Sequence, residues 1–183
     1  MIMKMLETKR LILRKYREDD FAAVHSYANC AENIIYMIWG PNTEEQTRDF
    51  IKRELLKAEE NPCKEHNYAV VLKDSGKLIG GCGLTLSGTC AEVGWILHRD
   101  YWNQGYCTEF AGELLRFGFE NLDLRRIIAT CDAENIGSYR VMEKLGMRRE
   151  GLFLEARPAH KQSDRKYGDE LAYAILKHEW SVK

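Results

Sequence analysis

HRDYWNQGYCTEFAGELLRFGFENL (residues 98–122) follows the apolar run VGWIL (93–97) and decides how the chain is read. VGWIL reads as a strand, and the segment from Thr108 to Leu122 carries apolar residues at helical spacing. Between them lies a tight loop with one glycine, Gly105. A helix N-terminus presents unpaired backbone N–H groups and a partial positive charge. A glycine loop leading into it lets those amides converge on a phosphate-sized anion. NQGYCT (Asn103, Gln104, Gly105, Tyr106, Cys107, Thr108) suits that role, with Thr108 adding a hydroxyl. It ends in neither Gly-Lys-Ser/Thr nor Gly-x-Gly-x-x-Gly, so it is neither a P-loop nor a dinucleotide fingerprint. On spacing alone a plain connector and an anion site are equally good readings.

Outward from the loop, the 183 residues suit one domain spanning 1–183, because no low-complexity tract or linker interrupts them. A net charge of −1 gives no electrostatic case for nucleic acid or an anionic membrane as partner. The six cysteines (Cys30, Cys63, Cys82, Cys90, Cys107, Cys131) form no C-x-x-C pair and no zinc spacing. They read as reduced structural thiols, no metal is expected, and the protein is expected in the cytoplasm. The N-terminal MIMKMLETKRLILRKY is broken by charges too often to be a signal peptide or a membrane span.

RLILRKY (10–16) predicts a first strand, and Phe21, Val24, Tyr27 and Ala28 predict a helix after it. Thr43 with Gln46 forms a capping-box pattern for a second helix, expected to close at Pro62. NYAVVLKD, KLIGGCGLTL and AEVGWIL then predict three hairpin-linked strands. The second half alternates: helix 108–122, strand RRIIATCD, a helix after Asn135 stopped by Gly146, and strands MRREGLFLEA and ELAYAILKHEW. The expected class is therefore α/β (α+β), a mixed, mostly antiparallel sheet with helices on both faces.

The loop resembles the diphosphate signature of the GNAT superfamily of acyl-CoA-dependent N-acetyltransferases, Gln/Arg-x-x-Gly-x-Gly/Ala. Within it, Tyr101-Trp102-Asn103-Gln104-Gly105-Tyr106-Cys107-Thr108-Glu109 is similar to the Tyr-Trp-Gly-Lys-Gly-Tyr-Ala-Thr-Glu of the ribosomal-protein-alanine N-acetyltransferase branch. Asn103 replaces a glycine of that pattern and Cys107 an alanine. The branch's second signature is matched by Asn135, Ser138, Arg140, Val141, Glu143, Lys144 and Gly146, and a Glu-Gly follows at Glu150-Gly151. The match covers roughly residues 90 to 180.

The resemblance implies the GNAT fold, with a splayed parallel strand pair, and acetyl transfer from acetyl-CoA to a primary amine by direct attack in a ternary complex. A non-catalytic acyl-CoA sensor on the same fold is the alternative. It places the pantetheine arm along Trp95, Ile96 and Leu97, with a backbone N–H near Leu97 at the oxyanion. The diphosphate falls on the amides of Asn103 to Thr108. Asn135 faces the cleft, caps the following helix, or does both. The superfamily's usual tyrosine acid falls at Met142, so Ser138 is the candidate acid. Glu150 is the candidate base and Glu92 its rival. Arg140 and Lys144 either meet the 3′-phosphate or form a surface charge cluster. Cys107 and Cys131 are taken as packing residues, and Trp39 as a wall of the acceptor side or a core or interface anchor. The late strands are compatible with a homodimer. The acceptor itself does not follow from the sequence.

Overall fold

The antiparallel first half and the alternating second half join in one sheet of eight strands. The computed structural model describes residues 3–60 and 62–180. Its strands are β1 (Leu6–Glu7), β2 (Leu11–Arg14), β3 (Glu65–Leu72), β4 (Leu78–Ser87), β5 (Cys90–Leu97), β6 (Arg126–Asp132), β7 (Arg148–Pro158) and β8 (Tyr167–Leu176). They lie in the order β1-β2-β3-β4-β5-β6-β8-β7. Every neighbouring pair is antiparallel except β5 with β6.

Helices α1 (Phe21–Ala28) and α2 (Glu44–Lys57) cover one face, and α3 (Tyr106–Arg116) and α4 (Ile136–Lys144) the other. The period-2 alternation of β3 shows how one strand serves both layers. Tyr68, Val70 and Leu72 pack with Phe110, Leu114 and Met142, whereas Ala69 and Val71 pack with Val24, Tyr27 and Ile51. Helices on both faces are thus observed as expected.

The parallel pair positions the site. Only Cys90, Ala91 and Glu92 pair with Arg126, Ile127 and Ile128, yet β5 runs on to Leu97 and β6 to Asp132. The two strands diverge beyond Glu92. The His98 amide donates to Ile79 O at 2.8 Å. Antiparallel pairs alternate, so Trp95 and Leu97 turn their own N–H and C=O groups away from β4, into the gap. Leu97 O duly accepts from Asn33 Nδ2 at 2.6 Å and from Trp102 Nε1 at 2.7 Å.

Boundaries moved where tertiary contacts outweigh local pattern. Strand β1 was not anticipated: two residues carry too little periodicity to read. Helix α2 has the expected Thr43–Gln46 box, with bonds of 3.2 and 2.8 Å, but stops at Lys57 rather than at Pro62. Lys57 there meets Glu65 at the start of β3, at 2.5 Å. Helix α3 starts at Tyr106 and widens into a π-turn at Phe117–Asn121, where Leu122 N reaches back to Phe117 O. Helix α4 ends in a Schellman motif: Gly146 at φ +80°, Gly146 N to Glu143 O and Met147 N to Met142 O, both 3.0 Å.

Candidate active site

Between β5 and α3 the loop makes a tight left-handed turn into the helix N-terminus. Gly105, at φ +79°, caps α3, and Asn103 is also left-handed at +58°. Gly and Asn are the residues that take this conformation at least cost. Among the described residues, none of the amides from Asn103 to Thr108 donates to a backbone carbonyl, so they converge unpaired at the N-terminus of α3. The Trp102 bond to Leu97 O fastens the loop to the end of β5.

A second fastening comes from the start of the chain. Glu109, in the first turn of α3, accepts Thr8 Oγ1 at 2.6 Å, Arg10 N at 2.8 Å and Arg10 Nε at 2.6 Å. Arg10 also donates to Gln104 O at 3.1 Å and lies 4.1 Å over the Tyr106 ring. Burial pushes the Glu109 carboxyl up, but the hydrogen bonds from Thr8 and Arg10 outweigh it and hold it below the usual range.

Two cavities meet where β5 and β6 part. One, of about 640 Å³, runs from the Gly105 turn along Trp95, Ile96 and Leu97 to α4. Asn103, Gly105, Tyr106, Cys107 and Thr108 line it at one end, Asn135, Ser138, Arg140 and Lys144 along its side. The other, of about 920 Å³, lies on the α1–α2 side over the glycines of β4. A Cβ on Gly81 would sit 2.2 Å from the Tyr16 hydroxyl, and one on Gly83 2.1 Å from Asn67 Oδ1. Bare backbone there makes room for the Tyr16 and Asn67 side chains, which line the cavity. Both cavities are lined by Tyr36, Met37, Trp95, Ile96, Asn135 and Ser138. Asn135 Oδ1 accepts Ser138 N at 3.1 Å, so Asn135 is the cap of α4 and faces the cleft at once.

The larger cavity carries charge near this junction. Asp132 is 2% exposed and stands opposite Glu170 in the β6–β8 ladder. Its Oδ1 accepts Glu134 N at 2.9 Å; its Oδ2 has no hydrogen-bond donor among the described residues and lies 3.7 Å from Arg157 Nε. A bulge in β7, where the register shifts between Phe153 and Arg157, brings Arg157 into the cavity. Arg157 Nη2 then donates to Tyr36 O at 2.7 Å and ties down the segment that separates the two cavities.

The fold that carries these cavities is one that other proteins share. The acetyltransferase (GNAT) domain matches residues 10–148. The chain belongs to the GNAT acetyltransferase family. YnaD of Bacillus subtilis, described as an uncharacterized N-acetyltransferase, is 38% identical over 178 residues, covering 96% of this chain and 99% of its own. The crystal structure of a GNAT-family acetyltransferase from Bacillus anthracis superposes with a TM-score of 0.83 at 38% identity, over 96% of this chain and 99% of that one. A ribosomal L7/L12 alpha-N-protein acetyltransferase solved with coenzyme A shares the fold, with a TM-score of 0.79 at 18% identity, over 94% and 98%. The protein is therefore an acetyltransferase, of a family that uses acetyl-CoA.

Within this GNAT frame the structure separates the residues expected from sequence. Trp95, Ile96, Leu97, Asn103, Gly105, Tyr106, Cys107, Thr108, Asn135 and Ser138 all border the smaller cavity. Gln104 does not: its side chain turns back to Asp100 O at 2.9 Å and its carbonyl is held by Arg10. Met142, 1% exposed, packs in the core and touches the larger cavity. Arg140 pairs with Glu143 at 2.8 Å and, with Lys144, also borders the smaller cavity. Trp39 lines the larger cavity. Burial pushes the Cys107 thiol up, and the Cys131 thiol up to about 11, so both are poor nucleophiles.

Glu150 is the main displacement. It borders neither cavity, and it forms ion pairs with Arg126 and, at 2.8 Å, with Arg148. The Arg126 hydrogen bond leads in holding its carboxyl down to about 2. These contacts make it an anchor between β6 and β7. Its rival Glu92 accepts Thr130 Oγ1 at 3.1 Å and borders neither cavity. The folded pKa of Glu150 lies below its ordinary 4.5. Its stabilisation is therefore full above about pH 5 and lost as pH falls toward 2. Discounted for solvent screening, it is on the order of 1 kcal/mol. Glu150→Gln is expected to lower Tm at pH 7 by roughly 2–4 °C, with the difference shrinking steadily below about pH 4.5 and vanishing only below about pH 2. Equal melting temperatures at pH 7 would refute the anchor.

Sequence reasoning passed over Tyr36, Glu54, Asp132, Arg157 and Glu170. Only Glu54 carried a signal: it lies on the buried stripe of α2 with Thr47 and Ile51, where a carboxylate is out of place.

Proposed function

We propose that the chain, as one domain over residues 1–183, transfers acetyl from acetyl-CoA to a primary amine by direct attack in a ternary complex. The observation that carries this is the junction: two cavities of cofactor and substrate size meet where the parallel strands separate. The diphosphate of acetyl-CoA binds the free amides of Asn103 and Gly105 to Thr108, and the pantetheine arm adds to the outward edge of Trp95 and Leu97. The acetyl group then lies beside Asn135 and Ser138, facing the larger cavity. Glu170, opposite Asp132, takes a proton from the incoming ammonium. The freed nitrogen lone pair forms the N–C bond, and the carbonyl electrons move to an oxyanion beside the Leu97 N–H. Collapse breaks the C–S bond, and the departing thiolate takes the second proton from the now cationic nitrogen, passed across the Ser138 hydroxyl, leaving the neutral amide and the free thiol. Six unpaired thiols favour a reducing compartment, the cytoplasm. Leu152, Phe153 and Leu154, exposed on edge strand β7, suit pairing with a second copy.

The test is CoA release from acetyl-CoA across amine classes, with CoA affinity measured in parallel. Ser138→Ala and Glu170→Gln are each expected to lower kcat about 100-fold with CoA affinity unchanged, and Glu150→Gln to stay within about twofold of wild type. CoA binding without turnover on any amine would overturn the transferase mechanism in favour of a sensor. Loss of turnover in Glu150→Gln alone would return the base to the strand position expected from sequence.

A further inference from the structure

We infer that the larger cavity selects a compact polyamine: an alkyl chain bearing an ammonium at each end, one reacting and one held at a distance. This rests on the acetyl-transfer reading above and names the acceptor class of that site.

The first argument is charge placement. At the α2 end, Glu54 and Glu65 are drawn together by Asn67 Nδ2, at 2.8 and 3.4 Å. One cation, Lys57, serves both, 2.5 Å from Glu65 and 3.6 Å from Glu54. At the junction, Asp132 and Glu170 stand opposite each other on the ladder, and the cation that lines the cavity there, Arg157, meets Asp132 only at 3.7 Å. Each end is two carboxylates against one base, hence one net negative charge. At the rim the exposed Asp49 and Arg53 offset each other.

The second argument is an unmet demand. Like charges directly opposite on a ladder destabilise it unless a cation lies between them. Asp132 lines the cavity, and its Oδ2 is buried with no hydrogen-bond donor among the described residues. A buried, unpaired carboxylate oxygen is costly. An ammonium in the cavity beside Glu170 offsets the Asp132–Glu170 repulsion and compensates the buried Asp132 charge. That end is beside Ser138, where the reacting amine belongs.

The third argument is the wall. Tyr16, Tyr27, Tyr36, Trp39, Phe50 and Trp95 line the cavity. Aromatic faces attract alkylammonium groups and cover methylenes. Burial keeps the Tyr16 and Tyr27 phenols protonated, so they add no charge of their own.

Length follows from topology. Glu65 lies on β3 and Asp132 on β6, three strands away in the sheet. The ladder sets Glu65 level with Ile128, four residues short of Asp132, so the backbones lie about 14 Å apart across the sheet and about 13 Å along it, roughly 19 Å in all. Carboxylate side chains and their contacts to ammonium, reaching inward from both ends, reduce the nitrogen-to-nitrogen span to about 10 Å, the length of eight or nine extended bonds at about 1.2 Å each. A diamine or triamine of that reach spans both poles; a peptide N-terminus offers one ammonium and a neutral backbone.

The experiment compares 1,8-diaminooctane and spermidine with octylamine and an alanyl peptide as acceptors, and measures spermidine binding to the protein–CoA complex by calorimetry. The expected result is a kcat/KM for the diamine and spermidine about 10- to 100-fold above octylamine. Glu54→Gln, isosteric and still able to accept from Asn67, is expected to reduce that ratio to within about threefold of unity. Glu65→Gln reduces it in the same direction, which covers the case in which the Glu54 variant fails to fold. Equal rates for octylamine and diaminooctane, or a preference for the peptide, would overturn the proposal while leaving acetyl transfer standing. If no amine releases CoA, the transfer reading fails, and the calorimetry then decides separately. Spermidine binding weakened at least tenfold by Glu54→Gln sustains the polyamine site; no binding overturns it.

Discussion

Gly105→Val is expected to raise the KM for acetyl-CoA by 100-fold or more while leaving the fold intact. Gly105 stands at φ +79° as the residue before α3, and its own amide is among the unpaired donors of the loop. A β-branched residue in that conformation costs about 1–2 kcal/mol. The chain relieves the cost by rotating the loop, and Asn103, itself left-handed, is free to rotate with it. Each hydrogen bond from an amide to a charged phosphate contributes about 1.5–3 kcal/mol. Losing two therefore costs about 3–5 kcal/mol of binding, which is roughly 10²- to 10³-fold. Gly105→Asn is the informative control, because asparagine tolerates the left-handed region. It is expected to lose less than about tenfold. Equal losses in the two variants would show that bulk, not backbone geometry, matters at this turn. Unchanged affinity in both would remove the diphosphate from the loop.

The same loop shows how far sequence reading reached. Strand, glycine turn and helix are short-range features, so the left-handed turn at Gly105 into α3 was legible, as was the capping role of Asn135. The run of Trp95, Ile96 and Leu97 was legible as a strand. That it turns an unpaired edge to β6 required knowing where the ladder stops. Glu150 was misplaced for the same reason. Its motif neighbours are right, but Arg126 and Arg148, which claim it, are 24 and 2 residues away and become its partners only once β6, β8 and β7 are laid in order. Arg157 enters the cavity through a bulge, and no period-2 pattern predicts a bulge. Tyr36 lies in an irregular segment between helices, held by Arg157 from 121 residues away. Long-range pairing of polar groups was invisible to periodicity, whereas apolar alternation was enough for the layers.

Glu109→Ala is expected to lower Tm by about 6–12 °C and to weaken acetyl-CoA binding, although Glu109 borders neither cavity. Its carboxylate receives three hydrogen bonds from Thr8 and Arg10 and is largely shielded from water, at 18% exposure. Truncation leaves a hydroxyl, an amide and a guanidinium without their acceptor. Breaking a fully buried charge pair costs about 3–5 kcal/mol. With Arg10 40% exposed, about 3 kcal/mol is the fitting figure. At 2–4 °C per kcal/mol for a chain of this size, the stated fall in Tm follows. Binding suffers because Arg10 holds the Gln104 carbonyl and covers Tyr106; once released, it no longer fixes the loop. Arg10→Ala keeps the Thr8 bond and the residue-10 amide on Glu109, so its expected loss is about half as large. The sign with pH is fixed by the lowered Glu109 pKa. The stabilisation is present above the ordinary carboxylate range and is lost as pH falls through the folded value. Wild type and Glu109→Ala should therefore differ most at neutral pH and converge in acid. A difference that persists undiminished in acid would mean the side chain stabilises by packing rather than by charge.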